Sequence, residues 1–425
     1  MTRPGVRLGL RENLPQFSLL VAINAFVGAM VGLERSTLPL IGREDFGLGS
    51  TAAVLSFIVA FGVAKALTNL GAGALADRIG RRRLLVLGWA FALPVPALIA
   101  WAPSWGWVVA ANGLLGINQG LAWSMTVMMK IDLVGPRRRG LALGLNEAAG
   151  YGGVAVAAAL AGALAGELAA RDVLVAAAAV VAVAGFLVSA LFVRDTAEHV
   201  ALEQARAHPR AGAGPPRLRA ALRDGSFRVP ALRSCSQAGL VNNLNDALAW
   251  GLVPLFLAAH GAGPADVGLV AGVYPAVWGA AQVGTGHWSD RVGRKPLIVA
   301  GMLVQAGALA LLAGSGGALG LAVLAAVGLG AGTALVYPTL LAAVSDAVTP
   351  VARASAVGVY RFWRDAGYVA GGLLVGAAAT ALGYAGAIDL VAGLTAASGM
   401  WVALELPGRP ARTHRLPRHA VPAGK

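Results

Sequence analysis

Twelve apolar runs, each long enough to cross a bilayer, leave this chain very few ways to fold. They fall near 16–40, 51–75, 83–101, 107–129, 140–164, 173–193, 231–257, 266–286, 296–314, 318–341, 355–380 and 384–405. A spanning helix needs about 20 predominantly apolar residues. Inside hydrocarbon each backbone donor and acceptor must find its partner within the segment, so such runs are read as helices. The expectation is an all-α integral membrane protein with 12 transmembrane helices. Of 425 residues 57% are hydrophobic and 13% charged, whereas a soluble domain carries about 25% charged residues.

The formal charge of +14 raises the question of a nucleic-acid partner, and its placement answers it. Alternating the runs puts both termini on one side, and nearly all loop Lys and Arg fall there, including the stretch from Lys130 to Arg139. The opposite side holds only Arg35, Arg43 and Arg171. Under the positive-inside rule the basic side is cytoplasmic, so the charge reads as topology and no nucleic acid is expected. Arg3, Arg7 and Arg11 precede the first apolar run as in a secretory signal, but that run is longer than a signal core and no small-residue cleavage site closes it. It reads as the first span. The single cysteine, Cys235, excludes an intramolecular disulfide. A preference for Arg over Lys, with abundant Ala and Gly, points to a high-GC bacterial genome and an inner-membrane location.

One loop is present twice. Gly73-Ala74-Leu75-Ala76-Asp77-Arg78-Ile79-Gly80-Arg81-Arg82 recurs 213 residues later as Gly286-His287-Trp288-Ser289-Asp290-Arg291-Val292-Gly293-Arg294-Lys295. Further matches follow at an offset of 214: Gly116 with Gly330, Trp123 with Tyr337, Asp132 with Asp346 and Glu147 with Arg361. Collinear self-similarity of this kind marks an internal duplication. It divides the chain into a first six-helix bundle at 1–193, a polar linker at 194–229, a second bundle at 230–405 and a tail at 406–425. A duplicated membrane bundle is suited to rocking about a site at the repeat interface. No Walker sequence is present, so ATP is not the expected energy source. The linker and tail histidines form no metal constellation, and no cofactor or metal is expected.

The G-x-x-x-D-R-x-G-R-R/K loop, with its echo in the second half, resembles the signature of the major facilitator superfamily, and the resemblance extends over essentially the whole chain. It implies two pseudo-symmetric six-helix bundles, with helices 1, 2, 4, 5, 7, 8, 10 and 11 around a central cavity. It also implies a gate role for Gly73, Asp77, Arg78, Gly80, Arg81 and Arg82, and for Asp290, Arg291, Gly293 and Arg294. Two motifs depart from drug–proton antiporters. Gly116-Ile117-Asn118-Gln119-Gly120 has glycine where R-x-x-Q-G has arginine, and 144–153 is glycine-rich like their fifth helix but lacks its proline. A fainter resemblance, in 24–35 and 130–147, is to magnetosome-associated facilitators.

Charged residues at a helix centre cost about 2.5–3.5 kcal/mol each on insertion scales, so they face a cavity or a partner. This chain places Glu34, Arg35, Lys65, Glu147, Asp246, Arg361, Arg364, Asp365 and Asp389 in its runs, and all but Asp389 fall on the helices that the resemblance assigns to the cavity. Glu147, Glu34 and Asp246 are the candidate proton carriers, since a carboxyl partly withheld from water exchanges protons in the physiological range. The cavity candidates are Lys65, Asn118, Gln119, Trp123, Asn146, Asn243, Tyr337, Arg361, Arg364 and Asp365. Arg361 and Asp365 stand i,i+4 and can pair on one helix face. The guanidinium forks of Arg361 and Arg364 suit an anionic group. The expected function is secondary transport of a small molecule or ion, as monomeric proton-coupled efflux. The alternatives are proton-coupled uptake, facilitated diffusion of an organic anion or iron species, and a non-transporting membrane sensor. No nucleophile–base arrangement supports an enzyme.

Overall fold

The computed structural model describes residues 6–135, 139–165, 167–206, 218–348 and 353–408. Every regular element among them is helical. The first half runs α1 (Leu14–Glu44), α2 (Thr51–Ile79), α3 (Arg81–Ala92), α4 (Pro94–Ala100), α5 (Trp105–Val134), α6 (Arg139–Ala165) and α7 (Ala170–Phe192). Two short helices, α8 (Ala197–Arg206) and α9 (Leu218–Arg223), and a π-helical turn at Asp224–Arg228 lead to the second half. That half runs α10 (Pro230–Ala259), α11 (Pro264–Val292), α12 (Arg294–Ala313), α13 (Leu319–Asp346) and α14 (Arg353–Glu405). Pro94 divides the third span into α3 and α4, since proline removes an intrahelical donor. Gly383, at φ 74°, divides the 53 residues of α14 into two spans. The result is twelve crossings at the positions that the apolar runs mark.

Eight helical segments among the described residues are long and apolar enough to cross a membrane. The three long helices outside that group, α5, α10 and α11, run 30, 30 and 29 residues. They carry more polar side chains, and those of α5 and α10 are buried: Asn112, Asn118 and Gln119 on one, Asn242, Asn243, Asn245 and Asp246 on the other. The outward faces are apolar; Val180, Leu187 and Leu191 of α7 are exposed, as suits a lipid-facing surface.

The signature glycine has a backbone reason to be there. Gly80 joins α2 to α3 at φ 90°, and Gly293 joins α11 to α12 at φ 103°. Only glycine takes that conformation cheaply, and it lets one residue turn the chain from one helix into the next.

The duplication is visible in the packing. In the first half α1 lies on α6 and α2 on α5; in the second, α10 lies on α14 and α11 on α13. The halves meet through two equivalent crossings, α6 on α11 and α2 on α14. These crossings are tightest at the end remote from the chain termini. A Cβ on Gly162 would sit 2.4 Å from Gly268 Cα, and one on Gly376 would sit 2.7 Å from Ala52 Cα. Arg43 of α1 also donates to Tyr384 Oη at 3.1 Å across that end. Nearer the termini, Asn69 of α2 and Arg361 of α14 are half-buried.

Gly268→Leu is expected to part α6 from α11 and disfavour this closure. Overpacking costs about 1–3 kcal/mol, a shift of roughly fivefold or more. A cysteine at Leu55, which is fully buried, should then react correspondingly faster with an impermeant maleimide. The native Cys235 is buried and supplies a low background.

Candidate functional site

Asp246 of α10 and Asp365 of α14 anchor the polar centre of the molecule. Asp246 is fully buried. It accepts a short hydrogen bond from Tyr274 Oη of α11 and another from Tyr368 Oη at 3.5 Å. Arg364 Nη2 stands 3.8 Å from its second oxygen. The same guanidinium reaches Asp365 Oδ1 at 3.9 Å and donates to Tyr151 Oη of α6 at 3.5 Å. Asp365 then crosses to the other half: Lys65 Nζ of α2 lies 3.8 Å from Oδ1, and Asn69 Nδ2 donates to Oδ2 at 2.6 Å. Ser124 Oγ of α5 closes the chain by donating to Asn69 Oδ1 at 2.8 Å. Thus a continuous line of charge and hydrogen bonds runs from α10 to α5 through the plane between the halves.

A cavity of about 30 Å³ lies against this line. The first half lines it with Lys65, Asn69, Gln119, Trp123, Ser124 and Tyr151, and the second with Tyr337, Arg361, Arg364 and Asp365. Its walls combine charged and neutral polar side chains with the three aromatics Trp123, Tyr151 and Tyr337. Trp123 and Tyr151 have ring centroids 5.3 Å apart, and Arg364 lies over the Tyr337 ring at 4.2 Å. The expected i,i+4 pair between Arg361 and Asp365 does not form, because Lys65, Asn69 and Arg364 already occupy Asp365. Arg361 makes no hydrogen bond or ion pair among the described residues.

Glu147 sits beside this cavity in a second polar cluster, confined to the first half. Its Oε1 accepts from Trp123 Nε1 at 3.2 Å and Asn146 Nδ2 at 3.0 Å, while its buried Oε2 has no partner. Lys130 Nζ donates to Asn146 Oδ1 at 2.6 Å, and Thr126 Oγ1 donates to Asn24 Oδ1 at 2.8 Å. Lys130 corrects the loop count above. It lies within α5, fully buried, and contributes to the site and not to the basic loop. Its place was hidden because the apolar run ends at 129, whereas the helix continues to Val134. Ser124 is a further member that the sequence did not single out.

Glu34 and Arg35 are apart from both clusters. Both are buried, and neither has a hydrogen-bond partner on its charged atoms. Arg35 instead packs over Phe61 at 4.4 Å, Phe57 at 5.0 Å and Trp250 at 5.9 Å. Asn118 turns to α3 and donates to Gly88 O at 3.0 Å, and Asn243 packs at Gly367 of α14; neither lines the cavity. Among the described residues no His, Cys, Asp and Glu side chains gather as a metal site.

Three of the signature arginines, Arg81, Arg82 and Arg294, make bonds within their own halves. Arg81 Nε is 2.7 Å from Asp132 Oδ2, which also accepts from Thr196 Oγ1 at 2.6 Å. Arg82 donates to Ala190 O at 2.6 Å. In the second half Arg294 Nε is 3.0 Å from Asp346 Oδ2 and also donates to Ser289 Oγ. These are the same bond in the two repeats, from the arginine after the turn glycine to the acid near the end of α5 or α13. The side chains of Gly73, Asp77, Arg78 and Asp290 lie outside the described residues, so any bond across the halves through them is not part of this geometry.

Removing one member of the central line strands the others. Arg364→Gln is expected to cost about 3–5 kcal/mol, the range for breaking a buried pair, read as a lower unfolding temperature in detergent. Adding Asp246→Asn should recover part of that loss, because the orphaned charge is removed with its partner.

Three comparisons bear on this geometry. The Major Facilitator Superfamily profile matches residues 17–243 and 235–424. A multidrug efflux pump, LfrA of Mycolicibacterium smegmatis, is 40% identical over 99 residues, which is 23% of this chain and 18% of that relative's length. A crystal structure of the nucleoside transporter NupG, as a point mutant, superposes with a TM-score of 0.73 at 14% identity, covering 92% of this chain and 100% of the other. At that identity the likeness is one of fold.

Proposed function

Because the chain belongs to the major facilitator superfamily, as a multi-pass membrane protein of that type, we propose that it is a secondary transporter exporting a small molecule in exchange for protons. Its central cavity supports that reading. Six of the lining residues come from one half and four from the other, so any movement of the halves changes access to whatever the cavity holds. The bonds from Lys65 and Asn69 to Asp365 are the ones such a movement must break. The arginines at Arg81 and Arg294 brace each half internally and so favour motion of whole bundles. On this reading 1–193 and 230–405 are the two bodies, 194–229 links them and 406–425 is a tail. The excess of Lys and Arg in the loops on the side of the termini supports cytoplasmic termini, and the Arg-rich, Ala- and Gly-rich composition supports a bacterial inner membrane. Export draws its support from the partial likeness to an efflux pump.

One observation carries the coupling. Glu147 is the buried acid beside the cavity whose direct donors are all neutral and whose second oxygen has none. Asp246 and Asp365 each face at least one cation. The open oxygen of Glu147 leaves a place for a proton to be taken up or returned when water reaches it from either side. With the proton lost, Lys130 across Asn146 is the nearest compensating charge in that cluster. Proton exchange at Glu147 therefore changes the attraction between this cluster and Lys65, which feels both Glu147 and Asp365.

Purified protein in liposomes tests the assignment. Glu147→Gln is expected to lower accumulation driven by a pH gradient to the level of empty liposomes. It should retain substrate counterflow, which needs alternating access without net proton movement. Full pH-driven accumulation by this variant would remove Glu147 from coupling and pass the role to Glu34 or Asp246. Accumulation only in the inward direction would replace export by uptake.

A further inference from the structure

The buried charges around the cavity do not cancel. Arg364 faces Asp246 and Asp365, Lys65 faces Asp365, and Lys130 reaches Glu147 through the Asn146 amide. In this central group Lys65, Lys130, Arg361 and Arg364 oppose Glu147, Asp246 and Asp365, leaving one positive charge even with every acid ionised. The excess is located at Arg361. This guanidinium lines the cavity, is half-buried and has no hydrogen bond or ion pair among the described residues. An unanswered guanidinium in such a site is a strong fork for an oxyanion. A cation entering the same space would add to the imbalance.

The rest of the lining limits the shape of that anion. Trp123, Tyr151 and Tyr337 form the aromatic part of the lining, and Arg361 shares the cavity with them. Aromatic walls of this kind gain most from a flat ring, which stacks or meets them edge-on. We infer that the substrate class is a ring-bearing organic monoanion, its acidic group on Arg361 and its ring among Trp123, Tyr151 and Tyr337. The inference rests on the transporter reading and names the cargo of that same site. In the state described here the cavity, about 30 Å³, has room for water-sized guests but not for a ring; a benzene-sized guest occupies a space of roughly 150 Å³. The ligand therefore enters only as the halves part on the side where Asn69 and Arg361 are half-buried, and it binds by favouring the parted state.

Equilibrium binding to the full chain in detergent tests this with three permanently charged probes: benzenesulfonate, methanesulfonate and benzyltrimethylammonium. Benzenesulfonate is expected to bind at least about tenfold more tightly than either of the others. Arg361→Gln should weaken it by about tenfold or more, the effect of a lost charge-assisted hydrogen bond, and Arg361→Lys should restore part of the loss. Equal affinity for methanesulfonate, preference for the ammonium probe, or unchanged binding by a folded Arg361→Gln would each overturn the inference. If that variant does not fold, the selectivity of the wild-type chain decides alone. Proton-driven flux of the ammonium probe in liposomes would overturn the anion and leave the transporter reading intact. Tight binding of benzenesulfonate without flux of any probe would do the reverse.

Discussion

Asp365 holds together parts of the molecule that the chain places far apart. A carboxylate taken from water loses several kcal/mol of hydration, and in hydrocarbon no solvent replaces it. Here the replacement comes from three sources: Asn69 at 2.6 Å, Lys65 at 3.8 Å and Arg364 at 3.9 Å. Two of these belong to α2, in the other half of the protein. Arg364 is in turn satisfied by Asp246, which needs Tyr274 and Tyr368. Each group is tolerable in the membrane because the next is present. The same dependence makes the line a sensitive joint, since separating the halves exposes or strands charge at one defined place.

The bonding within each half is of a different kind. The pairs Arg81–Asp132 and Arg294–Asp346 repeat one contact in two copies, each tying the span after a turn glycine to the next span. Glycine serves a second purpose where the halves touch. At Gly162 and Gly268 the missing side chains let the α6 and α11 backbones meet, which gives close packing with no polar bond to break. The described structure thus combines braced halves with an interface that is close-packed through small residues at one end and charged at its centre.

Much of this was legible in the chain. Spans, the duplication, the turn glycines and the presence of too many intramembrane charges all follow from local composition and spacing. The individual partners were not legible. Arg361 and Asp365 have the right helical spacing to pair, yet Asp365 is taken by residues almost 300 positions away in sequence. Lys130 looked like a loop residue because a helix end has no signal as sharp as its apolar middle. Asn118 and Gln119 are neighbours in sequence, and only Gln119 lines the cavity, since successive helical residues point about 100° apart.

By itself the sequence determined that this chain spans a membrane twelve times, in two related halves, with its positive charge gathered on one side. Hydrophobic length and charge asymmetry act over tens of consecutive residues, so they are written in order along the chain. The tertiary structure alone decided which charges answer one another, which amides turn inward, and that Arg361 lines the cavity without an ion-pair partner among the described residues. Those outcomes depend on distances of 3–4 Å between side chains from different helices, and a difference of one residue in helix rotation changes them without altering the pattern that the sequence displays.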